Sequence, residues 1–285
     1  MPQPLIHLGG DANLPAMTLA PANGFVPELY VPILEPFMND YHVISTPPRA
    51  LWGDGAPPEI TSDYTWRNIA EDMLTAYQQF GLHDVVAIGH SIGAVTTLLA
   101  AIQQPDLFKA IILLDPVVIP KVACDWMREQ RQKGEILNPK MVAGALRRRN
   151  KFQSIDVAFE HFHGKSIFAD WSDEMLRLYV THGTIPCEDN LRCLKWSPQW
   201  EAFYFGTYFA DIWDYLPKLN DLTLPILFVS GGTSDTFVAS TVQDVAELIP
   251  QATYESVAGH GHLFPQSAPD ATHAIINDWL TTHIS

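Results

Sequence analysis

The chain has 285 residues, 47% of them hydrophobic and 17% charged, enough for one large packed domain with a smaller one embedded in it. Its 32 acidic residues against 17 basic ones leave a formal charge of −15. That balance argues against a nucleic-acid partner, because phosphate contacts need clustered Lys and Arg.

Strand and helix signals alternate through the first third. Met17-Thr18-Leu19-Ala20 reads as a short buried strand, followed by a turn at Asn23-Gly24 and a helical stretch from about Glu28 to Met38. Tyr41 to Thr46 is a second strand, stopped by Pro47-Pro48. From Thr65 to Phe80 the apolar residues Ile69, Met73, Ala76, Tyr77 and Phe80 recur at helical spacing, and Gly81 suits the C-terminal cap. Asp84 to Ile88 is a third strand, Ile92 to Ile102 a helix apolar on nearly every side, and Ala110 to Leu114 a fourth strand bounded by Asp115-Pro116.

Between about Lys121 and Tyr215 strand-like runs disappear and helical signals take over. The basic run Arg147-Arg148-Arg149, with Lys151 after it, reads as a solvated face or loop, an anion-binding role being the alternative. Ser154 to Gly164 and Ser172 to Gly183 look like short capped helices, the second with Asp173 and Glu174 where they favour the helix dipole. Trp171 and Leu176 are placed to staple that second helix. Strand signals return at Pro225 to Ser230 and Thr253 to Val257, with helices near Thr241 to Ile249 and Pro269 to Thr282. This alternation predicts an α/β fold with a mostly parallel central sheet, helices on both faces, and a helical insert over the strand ends. Residues 1–120 and 215–285 form the expected core domain, and 121–214 the expected helical cap.

No apolar run is long enough to span a bilayer, and Met1-Pro2-Gln3-Pro4 does not open a signal peptide. Cys124, Cys187 and Cys193 lack metal-site spacing and read as free thiols of a reducing cytoplasm, a Cys187–Cys193 bridge being the alternative. A cytoplasmic monomer or homodimer is expected, with no membrane partner.

The chemistry centres on Gly89-His90-Ser91-Ile92-Gly93, directly after a buried strand and directly before an apolar helix. That context makes a nucleophile elbow, a tight turn needing small residues on both sides of a serine raised above the sheet. A serine hydroxyl needs a base to take its proton and a carboxylate to hold that base, in the chain order Ser, acid, His. Asp235 lies in the loop after the Ile226–Ser230 run and is the expected acid; Asp115 is the alternative, although Pro116 beside it suggests a structural turn. His262, in Gly-His followed by an apolar pair and Pro265, is the expected base, with His260 as the alternative. The oxyanion donors are expected at the backbone N–H groups of Ile92 and Phe25, the latter after Gly24 in the loop that follows the first strand. His7-Leu8-Gly9-Gly10 superficially suggests a rival oxyanion loop but lacks the helix and strand that should follow it.

These features, in this order, resemble the α/β-hydrolase superfamily across almost the whole chain, and in particular its cap-bearing members with a Ser-Asp-His triad. Ala22-Asn23-Gly24-Phe25, with Tyr30 and Pro32 after it, resembles the "His-Ala-Asn-Gly-Phe" opening of one bacterial subgroup, with Pro21 in place of the histidine. The resemblance implies hydrolysis through an acyl-enzyme, with no metal and no organic cofactor. The aromatic-rich insert makes an apolar pocket the expectation, with Asn23, His90, Phe159, Phe162 and His163 as candidate substrate contacts. The expected activity is therefore hydrolysis of small to medium, mainly hydrophobic carboxylic esters. Cleavage of a carbon–carbon bond in a keto or diketone substrate by the same triad is the alternative. A non-catalytic ligand-binding protein of the same fold is the alternative of another class.

Overall fold

Runs such as Val85-Val86-Ala87-Ile88 have no polar face, so a strand made from them must be covered on both sides. The computed structural model, which describes residues 3–53, 55–60 and 63–284, builds them into a seven-stranded sheet. Its strands are β1 (Ile6–Gly9), β2 (Ala16–Ala20), β3 (His42–Ser45), β4 (Val85–His90), β5 (Phe108–Leu114), β9 (Ile226–Gly231) and β10 (Thr253–Val257). They lie in the order β1-β3-β2-β4-β5-β9-β10, with β1 antiparallel to β3 and every other pair parallel. Met1 and Pro2, where the sequence predicts no leader, lie outside the described residues.

Alternate residues of the central strands feed two separate cores. Ala87, Ile111, Leu113 and Phe228 pack with the helices Trp66–Phe80 and Ile92–Gln103 on one face. Val86, Ile88, Ile112, Leu114, Leu227 and Val229 pack with the segment from Phe25 to Phe37 and the closing helix Pro269–His283 on the other. Helix boundaries follow their capping chemistry. Thr65 and Asn68 form a reciprocal capping box at one end of Trp66–Phe80, and Gly81 takes a left-handed conformation (φ 63°) at the other. Ser154 and Ser172 each accept a backbone N–H at the start of Ile155–His163 and Asp173–His182.

Three local expectations need refining or correcting. The stretch from Glu28 to Met38 is helical as expected, but it is divided into the 3-10 helix Pro27–Tyr30, the α-helical turn Val31–Leu34 and the 3-10 helix Glu35–Asn39. Pro32 and Pro36 remove the N–H groups a continuous helix would use. The insert is not purely helical either. Between β5 and β9 it adds β6 (Lys151–Phe152), β7 (Thr184–Pro186) and β8 (Arg192–Leu194), paired antiparallel in the order β6-β8-β7. Finally, Cys187 and Cys193 are joined in a disulfide that closes the β7–β8 hairpin, their Cα atoms 5.8 Å apart, while Cys124 is buried and free. Their spacing across the hairpin places the two sulfurs side by side, which the six-residue separation alone does not reveal.

The rejected rival His7-Leu8-Gly9-Gly10 turns out to supply most of the edge strand β1. No helix among the described residues is long and apolar enough to cross a membrane.

Candidate active site

Ser91 sits between β4 and the helix Ile92–Gln103 with φ 59° and ψ −119°, a backbone conformation L residues rarely adopt. The two glycines make this turn possible. A Cβ at Gly89 would lie 2.4 Å from the Gly93 carbonyl oxygen, and one at Gly93 would lie 2.1 Å from the Ala20 oxygen. Neither site has room for a side chain, so the helix start packs directly against backbone of β2 and β4.

Ser91 Oγ donates toward His262 Nε2 at 2.9 Å, and His262 Nδ1 donates to Asp115 Oδ2 at 2.6 Å. The carboxylate in contact with the histidine is thus Asp115, and the expectation for Asp235 is corrected. The sheet order supplies the reason. β5 lies between β4, which carries Ser91, and β9, so the residue that leaves the end of β5 is next to the serine. Ser91 N–H even donates to the Leu114 carbonyl, one residue before Asp115. Asp115 takes a left-handed backbone (φ 40°) and is fully buried. Its Oδ1 accepts the Gly231 N–H at 2.7 Å, and its Oδ2 also accepts the Ser234 hydroxyl at 2.6 Å. The loop after β9 therefore reaches the histidine's partner through Gly231 and Ser234. Asp235 itself is exposed, lies on the cavity wall, and among the described residues accepts only from Thr236 Oγ1 at 3.4 Å.

His262 is the histidine that meets the serine. His260 turns to Ser267 Oγ at 2.8 Å, and its carbonyl accepts the Thr233 N–H. His90 is fully buried and does not line the cavity, so it is not a substrate contact. Its Nε2 donates to the His262 carbonyl at 3.0 Å, and its Nδ1 accepts the Tyr30 hydroxyl proton at 2.7 Å. Tyr30 Oη in turn accepts the Ala22 N–H at 3.0 Å. A buried chain of hydrogen bonds thus ties the loop after β2 to the loop carrying His262. Burial first, and then the neighbouring His262, hold the His90 imidazole well below its ordinary pKa, so it is neutral.

The oxyanion expectation also shifts. The Phe25 N–H donates to the Ala22 carbonyl at 3.1 Å within the turn, so it does not face the serine as a free donor. Among the described residues the backbone N–H groups of Asn23 and Ile92 find no acceptor, and both residues line the cavity with Ser91. The Phe25 side chain instead joins core to insert, its ring 5.7 Å from Trp171 and 5.8 Å from Tyr179.

The cavity over Ser91 measures about 850 Å³. Phe25, Phe162, Phe168, Phe205 and Tyr208 form apolar parts of its wall. Phe162 is therefore where the sequence predicts it, as is Asn23, whose amide donates to the Glu201 carbonyl. Phe159 and His163 are not on the wall. Phe159 is buried under the Arg177 guanidinium, and His163 is exposed beside Asp173 at 3.3 Å. The basic run faces solvent, as its composition suggests, with Arg147 and Arg149 exposed and Arg148 half-buried, and all three arginines also line the cavity. Arg148 pairs with Glu201 at 2.5 Å, donates to the Tyr179 hydroxyl and lies over the Phe162 ring. Burial works against its charge, but Tyr179 and Glu201 outweigh burial and raise its pKa above the ordinary value. Among the described residues no group of three or more His, Cys, Asp and Glu side chains is arranged to hold a metal ion.

Comparison with known proteins gives this geometry a setting. Residues 28–267 match the family described as the alpha/beta hydrolase fold. An (E)-2-((N-methylformamido)methylene)succinate hydrolase of Acinetobacter baylyi is 21% identical over 260 residues, 91% of this chain and 88% of that one. A 2-(acetamidomethylene)succinate hydrolase of Mesorhizobium japonicum is 22% identical over 80% of this chain and 75% of its own. Among solved structures, an E-2-(acetamidomethylene)succinate hydrolase superposes with a TM-score of 0.72 over 98% of both chains at 19% identity. An M. tuberculosis esterase gives 0.72 over 98% of this chain and 91% of its own at 15% identity.

Proposed function

The chain belongs to the alpha/beta hydrolase fold family, and from that premise we propose that it is a serine hydrolase cleaving carboxylic acyl derivatives, esters foremost, through an acyl-enzyme. The observation that carries this reading is the hydrogen-bonded series Ser91–His262–Asp115 at 2.9 and 2.6 Å. In this reading Ser91 Oγ attacks the substrate carbonyl as His262 Nε2 takes its proton. Asp115 keeps the remaining imidazole proton on Nδ1 and stabilises the imidazolium that forms. The tetrahedral oxygen is received by the N–H groups of Ile92 and Asn23, each such donor supplying ~2.7–4 kcal/mol of transition-state stabilisation. His262 then gives its proton to the leaving group, and water repeats the sequence to release the acid. The insert lies over Ser91 as a lid that narrows access to it.

A second reading keeps the same triad but has it cleave a carbon–carbon bond in a keto or diketone substrate. It is retained because the relatives above include hydrolases not named as esterases. Fluorophosphonate labelling, followed by a panel of nitrophenyl esters and diketones, separates these readings. Labelling should fall on Ser91 and be lost in Ser91→Ala, together with all turnover. Wild-type turnover in Ser91→Ala would overturn the nucleophile assignment. Diketone cleavage without ester cleavage would replace the first reading by the second.

A further inference from the structure

The chain carries about two acidic residues for each basic one, so an average patch of its surface is negative. The wall of the cavity over Ser91 departs from that average. It holds Arg147, Arg148, Arg149 and Lys165 against only Glu201 and Asp235. Glu201 is spent on Arg148. Among the described residues, Arg147, Arg149 and Lys165 have no carboxylate within ion-pair distance.

Arg149 is held in place without being neutralised. Its Nε donates to the Lys151 carbonyl at 3.1 Å, one terminal nitrogen donates to Gln153 Oε1 at 3.2 Å, and its guanidinium lies 4.7 Å from the centre of the Phe152 ring. The other terminal nitrogen has no partner among the described residues. These are neutral acceptors and a ring face, which orient a guanidinium and leave its charge uncancelled. His161, on the same wall, registers the cluster. Burial first, then the charges of Lys165, Arg149 and Arg148, hold its imidazole below the ordinary value, and all four residues line the same cavity. Like charges gathered in a concave, partly apolar space repel one another unless an anion answers them. Among the described residues Glu201 answers Arg148, and no carboxylate pairs with Arg147, Arg149 or Lys165, whose side chains stay open to solvent.

We propose that this site takes acyl substrates bearing an anionic group remote from the bond that is cleaved, held by Arg147, Arg149 and Lys165 while the carbonyl lies at Ser91. The inference rests on the acyl-hydrolase reading above and adds the substrate's charge to it. Aromatic wall residues such as Phe162 and Phe168 pack along the segment between carbonyl and anion. Asp235, exposed in the loop after β9, disfavours the reverse placement, with the anion on the core side. A guanidinium fork matches a carboxylate or a phosphate equally well, so the shared requirement is an oxyanion.

The test compares two substrates of equal acyl length, 4-nitrophenyl hexanoate and the mono-4-nitrophenyl ester of adipic acid, on the full chain. The wild type is expected to favour the charged ester in kcat/KM. The preference should fall at least tenfold in Arg147→Gln/Arg149→Gln, and weaken as salt rises from about 20 to 500 mM. Lys133→Gln, which removes a positive charge outside the cavity, should leave the preference unchanged. Because the readout is a ratio within one preparation, partial loss of folded protein cancels. Arg147→Glu, a reversal of charge, gives an independent second variant and should reduce the ratio further than Arg147→Gln. Succinate and inorganic phosphate, tested as inhibitors of hexanoate cleavage, show which oxyanion fits better. Equal or better cleavage of the neutral ester by wild type, or an unchanged ratio in the double variant, overturns the proposal. Fluorophosphonate labelling of the same wild-type preparation keeps the two readings apart. Labelled protein without charge preference removes only the anion site, whereas unlabelled protein removes the nucleophile.

Discussion

Replacing Asp115 by Asn separates the two candidate carboxylates, and the geometry says what the amide must do. Gly231 N–H points at Oδ1 from 2.7 Å, so the amide oxygen has to stay there, since two N–H donors cannot face each other. The amide nitrogen then occupies the position of Oδ2, against Ser234 and His262 Nδ1. It donates to Nδ1 and places the imidazole proton on Nε2, where it blocks acceptance of the Ser91 proton. The wrong tautomer, together with the missing negative charge beside the imidazolium, lowers kcat by about 10⁴-fold. At 1.36 kcal/mol per factor of ten, that corresponds to about 5 kcal/mol of transition-state free energy. The fold should survive at a cost: Ser234 Oγ already accepts the Thr236 and Phe237 N–H groups, so its own proton and the second amide N–H are left unanswered, a net stability loss of ~1–3 kcal/mol. Steady-state cleavage of a nitrophenyl ester, with a thermal melt of each variant, measures both quantities. Asp235→Asn, at an exposed side chain, should stay within roughly one factor of ten of wild type. If Asp235→Asn loses more activity than Asp115→Asn, the assignment of the acid is wrong.

Three further outcomes are expected. Gly93→Ala should yield no folded protein, because its Cβ would meet the Ala20 carbonyl oxygen at 2.1 Å and neither backbone can retreat from the sheet; a cooperative melt near that of wild type would contradict this. Stability should decline as the pH falls below about 6.5, because His90 binds its proton more weakly when folded than when unfolded. The sign follows from the unfolded chain taking up the proton first. Stability is then complete above the unfolded pKa and is lost toward the lower folded value, with a slope of up to about 1.4 kcal/mol per pH unit. In His90→Gln this contribution to urea titrations at stepped pH should vanish. Alkylation of the denatured chain should modify one cysteine without reductant and three with it, as the Cys187–Cys193 bridge requires; three modifications without reductant would refute the bridge.

What could be read from the sequence follows from how locally each feature is determined. Ser91 was legible because the elbow is a local device: a buried strand, two glycines without room for a side chain, and a buried helix lie within consecutive residues. His262 was legible for a similar reason, at a glycine-flanked turn after the last strand. The acid was not, because two aspartates follow two strands in equivalent ways, and choosing between them depends on which strand lies beside β4. Sheet order is a long-range property that period and composition do not carry. One signal did favour Asp115: it directly ends β5, whose residues from Ala110 onward are all buried, so its carboxylate had to be buried with partners. Asp235 stands at the end of a polar, glycine-rich loop that needs none. The basic run was half legible for a related reason. Three adjacent arginines read as a solvent-facing patch, which Arg147 and Arg149 are, but only the packing of the insert over Ser91 shows that the same patch lines the cavity. That packing bears on specificity more than on chemistry. The strands and turns of the core hold Ser91, His262 and Asp115 in place, whereas the insert supplies Arg147, Arg148, Arg149 and Lys165. Changes in the insert can therefore redirect what the site binds without disturbing how it cleaves.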